Sequence, residues 1–565
     1  MTIRRPRPVL TATISGALVL GALAGCSTAT AETTSGTDTT ATTTLSEVAT
    51  TTDDALAGNE DYADLADLAE ETWDTADETT VSLDGDGATV SGDGATADGA
   101  TADGATVTIS APGTYRISGT LDDGQVVVSS EADGLVRLVL DGADITSSTG
   151  SAVAVTQADD VSVVLADGSS NSLTDAATYA DTSEDAPDAA LFSADSMVIS
   201  GTGSLDVTGS TNDGIASKDG LVIAGGDITV TAVDDGVRGK DFLVVTDGTI
   251  DVDAEGDGLK ADNEDGTNDD GETVGYAALL GGTVTVAAGD DGVHAESDLV
   301  VDGATVTVAE SVEGLEAAHI LVASGTVDVT SSDDGFNAAG GTSTTTGTAT
   351  TDDSAADATT GQDSGSQAPA EGEAPAGGEP PASDTTPDGE PPQGGGGGAG
   401  GGGGMPGDVA GDYSLVITGG DVTVDAGGDG LDSNGTLTIS GGDVTVFGPT
   451  DGGNGTLDSA GALTVQSGTL LAVGTSSMLQ TPGDGSEGWV AATFDTLAAG
   501  TEVTVVDSAG TTAATVTLTK DTQSLVLASE AVTTGEEYTI QADGAGVATA
   551  TAGDAPASIG MGTQP

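Results

Sequence analysis

An acidic residue, a glycine and an apolar residue recur through the middle of this chain. They stand at Asp213-Gly214-Ile215, Asp235-Gly236-Val237, Asp257-Gly258-Leu259, Asp291-Gly292-Val293, Glu313-Gly314-Leu315 and Asp334-Gly335-Phe336, and again at Asp429-Gly430-Leu431. The steps between these glycines are about 22 residues except where something is inserted, and a period in this range signals a solenoid. A unit so short cannot bury its own apolar face and must stack on its neighbours. Inside each period the sequence alternates, as in Leu221-Val222-Ile223, then Gly225-Gly226, then Asp227-Ile228-Thr229-Val230. Runs this short, rich in β-branched residues and bounded by Gly and Asp, are strands. Two or three strands in about 22 residues make the coil of a parallel β-helix. The leucine-rich repeat has a similar period, but its Leu-x-x-Leu-x-Leu frame is missing.

Of the 565 residues, 93 are Asp or Glu and 10 are Lys or Arg, a formal charge of −83. Such a chain repels phosphate backbones, which excludes a general affinity for nucleic acid and favours divalent cations. Arg4, Arg5 and Arg7 precede an apolar run from Ile14 to Ala24, too short for a comfortable membrane span, so residues 1–25 read as an export signal. The run ends in Leu23-Ala24-Gly25-Cys26, which resembles the lipobox of bacterial lipoproteins. Cys26 is the only cysteine, so it reads as the lipidation site and no disulfide staples the fold. The expected location is the extracytoplasmic face of a cell membrane, with the lipid anchor as the only membrane contact.

Residues 26–80, rich in Thr, Ala, Asp and Ser, read as a disordered tether, with some helical spacing at Leu65, Leu68 and Trp73. Coils are expected over 81–340 and again over 412–487. Between them, 341–411 is a low-complexity insertion ending in a glycine run, expected to be a disordered loop. Residues 488–545 read as a small antiparallel β cap over the C-terminal edge of the stack. Residues 546–565 read as a disordered tail, and the protein as a monomer.

Alignment on the repeated glycine places equivalent residues one above another, about 4.8 Å apart. Two residues after it come Ala216, Arg238, Lys260, His294, Glu316, Asn337 and Asp432; four after it come Lys218, Lys240, Asp262 and Glu296. Lys218, Arg238, Lys240 and Lys260 thus share one side of successive coils. With His294 and Glu316 they form a candidate strip for the carboxylates of a uronate polysaccharide. The rival reading is charge balance within an acidic stack. Placed at turns, these cations are expected to contribute to binding and little to stability.

The candidate metal set is Asp234, Asp235, Asp257, Asp290, Asp291, Glu313, Asp333, Asp334, Asn337 and Asp429. Calcium takes six to eight hard oxygens, which carboxylates one coil apart and turn carbonyls can supply. The competing reading is turn chemistry, with Asp capping the backbone and Gly at positive φ. Asp262 to Glu272 is a second candidate loop, although its spacing fails the EF-hand pattern. His319 reads as a strand start and Phe336 as core. Trp73 and Trp489 lie outside the repeat, which leaves no aromatic platform for flat crystalline sugar and favours soluble or acidic chains.

Several blocks carry a resemblance by their order along the chain: Gly119 to Val126, Leu138 to Ile145, Asn171-Ser172-Leu173-Thr174-Asp175, Glu313 to Ala318, and Asp333 to Ala338. They resemble the secreted bacterial carbohydrate-binding proteins of right-handed parallel β-helix fold, over roughly residues 81–474 apart from the insertion. The resemblance implies an all-β, right-handed, single-stranded parallel β-helix of pectate-lyase-like architecture. It also implies bound Ca2+ and recognition of plant-wall polysaccharides such as cellulose and polygalacturonate, without catalysis. Two rivals stand beside it. One is a polysaccharide lyase, in which Arg238, Lys240 or Lys260 would remove the proton α to a calcium-held carboxylate. The other is a structural surface stalk or adhesin.

Overall fold

The computed structural model describes residues 48–69, 72–101, 104–179, 181–183, 186–340 and 410–556. The expected leader, Cys26, residues 341–409 of the insertion and residues 557–565 lie outside the described residues. Where the sequence alternates, the chain is strand, and helix is confined to the short pieces Thr52–Ala55, Ala63–Asp67 and Thr75–Asp77 among the described residues. None of these is long and apolar enough to cross a membrane.

Two parallel ladders carry the repeat. Long strands such as Gly220–Ala232, Phe242–Ala254, Asp298–Glu310 and His319–Ser331 belong to a sheet of 22 strands. Gly225 and Gly226, both at positive φ, bend the first of them where its register shifts. The short strands Val237–Gly239, Leu259–Ala261, Val293–Ala295, Leu315–Ala317, Phe336–Ala338, Leu431–Ser433 and Leu457–Ser459 belong to a sheet of 13. Each strand pairs in parallel with its equivalent one period on. The register crosses the insertion unbroken, with His319 beside Ser414 and Phe336 beside Leu431. The inward Val, Ile, Leu and Ala of both sheets form one apolar cluster that reaches from Val81 to Ala528 and includes Phe336.

The repeated glycine has a different cause from the positive φ expected of it. None of Gly214, Gly236, Gly258, Gly292, Gly314, Gly335 or Gly430 takes a positive φ. A Cβ on Gly236, Gly258 or Gly292 would instead stand 2.6 Å from the carbonyl oxygen of the next glycine in the stack. It would also strike a valine Cγ1 of the facing sheet: Val252, Val286 and Val308 respectively. Successive repeats approach too closely there for any side chain.

Antiparallel strands close both ends. Thr79–Gly85 pairs with Ala88–Ser91, and Thr522–Ser529 pairs with both Thr469–Gly474 and Trp489–Leu497. A separate sheet of four strands ends with Ala545–Thr551 on Glu537–Ala542. This corrects the disordered tail expected from 546: alternation continues to Thr551, and Ala548 and Ala550 pack on the cap's apolar cluster.

The segment 48–69 also differs from the tether expected over 26–80. Leu65 is buried in one apolar cluster with Val198, Val222, Val244, Val300, Leu321 and Val416, which face outward from the long sheet. Runs such as Leu221-Val222-Ile223 are apolar on both faces, so one face needs a cover, and this segment supplies it. Thr52 Oγ1 donates to Asp302 Oδ2 at 2.7 Å, Asn59 Nδ2 to Asp298 Oδ2 at 3.0 Å, and the Tyr276 hydroxyl to the Glu60 carbonyl at 2.7 Å.

Candidate functional site

Register in the short sheet puts the position two after each repeated glycine into one row of rungs. Ala216, Arg238, Lys260, His294, Glu316, Asn337, Asp432 and Asp458 are consecutive neighbours. The acid of each step sits at or just before the start of its strand, and the two oxygens of the aspartates do different things. Asp235 Oδ1 accepts the Asp257 N–H at 3.0 Å, and Asp257 Oδ1 accepts that of Asp291 at 2.9 Å. Asp334 Oδ1 likewise accepts from Asp429, and Asp429 Oδ1 from Gly455. Turn capping therefore accounts for one oxygen of these aspartates. The other faces the rungs. Arg238 Nη1 lies 3.7 Å from Asp213 Oδ2, Lys260 Nζ 3.1 Å from Asp235 Oδ2 and 2.8 Å from Asp257 Oδ2, and His294 Nδ1 3.2 Å from Asp291 Oδ2.

Three successive rungs thus carry their own counter-charge. Arg238 also grips Asp262 with two hydrogen bonds, Nε to Oδ1 at 3.0 Å and Nη2 to Oδ2 at 2.7 Å, and Lys218 pairs with Asp188. Burial works against the charge on Lys260, but Asp257 and Asp235 overcome it and hold the ammonium well above the ordinary lysine range. Burial likewise opposes charge on the His294 ring, and hydrogen bonds with Asp291 and Glu316, with the Glu296 carboxylate nearby, hold it up to about 12. For Lys218, Arg238 and Lys260 this is the charge-balance arrangement. The Lys260 side chain is only 24% exposed, and its removal would strand two carboxylates, so a larger stability cost is expected than at an open turn position. Lys240 is half-buried and, among the described residues, has no ion pair.

Below His294 the row changes character. From Asn337 onward no described Lys, Arg or His side chain reaches the rung. Asp429, Asp432 and Asp458 each offer an oxygen, all within 4.8 Å of one another. Burial, then repulsion from Asp334, Asp429 and Asp458, pushes Asp432 up to about 8. The same two causes push Asp334 up to about 7, Asp429 up to about 6 and Glu313 up to about 8. Asn337 Nδ2 donates to Glu313 Oε2 at 2.8 Å, while its Oδ1 is buried without a hydrogen-bond partner. Crowded oxygens, one orphaned amide oxygen and no competing ammonium fit a hard divalent cation.

The remaining candidates divide. Asp257, Asp290 and Asp291 gather, as do Asp213, Asp234 and Asp235, but Lys260 and Arg238 already sit at those groups; Asp234, Asp290 and Asp333 are exposed. In the 262–272 loop, Asp262 serves Arg238 and Asn268 donates to Glu60 Oε2 at 2.9 Å, so the loop receives the N-terminal segment. His319 opens its strand and meets Ser414 Oγ at 3.1 Å. Asp213, Asp432 and Asp458 were absent from the metal set read in the sequence. Asp432 stands in the row read from the sequence, next to Asn337, but as a rung and not as a metal ligand, and Asp458 extends that row by one repeat. In the last coil Gly455-Thr456 replaces Asp-Gly, which removes the signal altogether. Glu60, Asp219 and Asp241 also meet within 4.8 Å, a grouping no local pattern announces.

These features define an all-β repeat protein of parallel sheets with a graded charge ladder along one row. Residues 103–358 match the family described as carbohydrate-binding domain-containing protein. A protein of that description from Acetivibrio thermocellus is 43% identical over 200 residues, which span 35% of this chain and 68% of the relative. The chain belongs to this family of carbohydrate-binding domain-containing proteins. It is also similar to the solved structure of a polysaccharide lyase-like protein from C. thermocellum, a gadolinium derivative. That match is 31% identical and covers 44% of this chain and 94% of the other at a TM-score of 0.38.

Proposed function

We propose that this protein is a cell-surface lipoprotein, anchored through Cys26, that binds an acidic polysaccharide with calcium on a right-handed parallel β-helix, and that it is not an enzyme. The observation that carries this reading is the change along one row of rungs. Arg238, Lys260 and His294 neutralise their aspartates, whereas Asn337, Asp432 and Asp458 stand among acids with no Lys, Arg or His beside them among the described residues. Asp429, Asp432 and Asp458 would hold calcium, with Asn337 beside them. Bound there, calcium supplies positive charge that a sugar carboxylate can share. Lys240, free of ion pairs among the described residues, is the candidate for direct contact with the glycan.

The same geometry speaks against two of the three candidate bases of a lyase, Lys260 and Arg238. A base must offer a lone pair near neutral pH, and carboxylates hold Lys260 and Arg238 in their charged forms. The test is binding of polygalacturonate by the full chain in calcium and in chelator, with ultraviolet absorbance followed throughout. Binding that needs calcium, with absorbance constant, supports the proposal. Rising absorbance from unsaturated uronate would make the protein a lyase. Absence of binding to acidic and neutral glycans alike would leave the stalk.

A further inference from the structure

His294 stands where the row passes from protein cations to acids. Its Nδ1 lies 3.0 Å from Glu316 Oε2 and 3.2 Å from Asp291 Oδ2. All three donor atoms lie within 4.8 Å of one another. A ring nitrogen carries at most one proton and cannot give each of two carboxylates a full hydrogen bond. A metal can satisfy both. Zinc bonds of about 2.0 to 2.1 Å in a tetrahedral shell place neighbouring donors about 3.3 Å apart, close to the two separations found here. On the other side of the ring, Nε2 lies 3.6 Å from Glu296 Oε1. A carboxylate in that place is what fixes the tautomer of a metal-bound histidine. His294 and Glu316 keep 21% and 20% of their side chains exposed, which leaves the site open for a water ligand.

We infer that Asp291, His294 and Glu316 form a site for a borderline divalent cation of the zinc class, separate from the hard-cation rungs at Asp429, Asp432 and Asp458. The nitrogen is what selects, because imidazole suits zinc whereas calcium takes oxygens. Binding is an exchange of cations. The charged ring releases its Nδ1 proton to solvent, the freed lone pair takes the metal, and the Nε2 proton stays toward Glu296. Nothing in this depends on the calcium reading.

The test is calorimetric titration of the metal-free full chain with zinc chloride in excess calcium. About one zinc per chain is expected, with a heat that varies with buffer because a proton is released. His294→Lys places on this rung the side chain that Lys260 places on the one before. It keeps the counter-charge, should melt near the wild type, and should lose zinc affinity by about 100-fold or more; Glu296→Gln should lose about tenfold. Asp432→Asn should leave zinc binding unchanged. Saturable zinc binding that survives His294→Lys, displacement of zinc by calcium, or no zinc binding by the wild type would each overturn the inference. Loss of the calcium response alone would remove the proposed function and leave this site standing.

Discussion

Asn337 donates its side-chain amide to Glu313, Nδ2 to Oε2 at 2.8 Å, and keeps a buried Oδ1 without a partner. A buried polar atom left so costs on the order of 1 to 3 kcal/mol, and its neighbour in register is Asp432, itself crowded by acids. Calcium is therefore expected to raise the melting temperature of the full chain, and chelator to lower it. At a free concentration of about 100 times Kd the gain is about 2.7 kcal/mol. Asp432→Asn removes one of the repelling charges. It should melt higher than the wild type in chelator and lose most of the calcium response. Melts followed by circular dichroism decide this, and an undiminished response in the variant would place the ion on another rung.

The cations of the ladder should separate into two kinds. Lys260→Ala leaves Asp235 Oδ2 and Asp257 Oδ2 facing each other without a counter-charge, a loss of about 2 to 4 kcal/mol after allowance for partial exposure. Lys240→Ala disturbs no ion pair among the described residues and should change stability by less than about 0.5 kcal/mol. Its loss should fall on polygalacturonate affinity, most visibly at low salt. Denaturant unfolding and glycan binding, measured on both variants, should give opposite orders; the same order in both assays would remove Lys240 from the binding face.

Gly258 tests the packing of the coils. A Cβ there meets the Gly292 carbonyl oxygen at 2.6 Å and Val286 Cγ1, both in well-buried surroundings where neither backbone nor valine has room to withdraw. Gly258→Ala should therefore destabilise by about 3 kcal/mol or more. Gly142 makes the comparison, since a Cβ there meets nothing within 4 Å although its φ is +75; Gly142→Ala should cost about 1 kcal/mol. Chemical denaturation of the two variants checks the order.

What could be read from the sequence is what one period contains. The alternation fixes strands, the spacing of glycines fixes register, and so the row from Arg238 to Asp432 could be assembled on paper. Phe336 could be placed in the core because it fills the slot of Ile215 and Val237. Contacts between periods were harder to read. The reason for the repeated glycine lies in the next coil's carbonyl, and the fate of Lys260 in an aspartate one coil back. Composition alone makes residues 48–69 a tether, because the patch under Leu65 consists of outward side chains from seven strands distant in sequence. Nothing near Glu60 announces Asp219 and Asp241.

That last meeting gives a pH dependence with a definite sign. Glu60, Asp219 and Asp241 each bring an oxygen within 4.8 Å of the others. Burial, then the hydrogen bond shared with Asp219, pushes the Asp241 carboxyl up to about 7, against which Asn263 Nδ2 donates to Asp241 Oδ1. The Tyr276 hydroxyl and the Asn59–Asp298 pair hold the same segment nearby. Part of the rise at Asp241 is repulsion from Glu60, which the docked segment brings near, so the carboxyl binds more protons when the segment is docked than when it is released. Its contribution therefore favours docking in acid and is lost as pH rises through about 7. The Glu60 N–H to Thr273 O and Thr273 N–H to Gly58 O bonds report on docking. After correction for intrinsic exchange chemistry, their hydrogen-exchange protection should fall between about pH 5.5 and about pH 8.5. Asp241→Asn should flatten that fall, whereas Leu65→Ala should lower protection at both pH values by loss of its apolar contact. Protection that is equal at the two pH values in the wild type would show that these carboxylates do not govern how the segment is held.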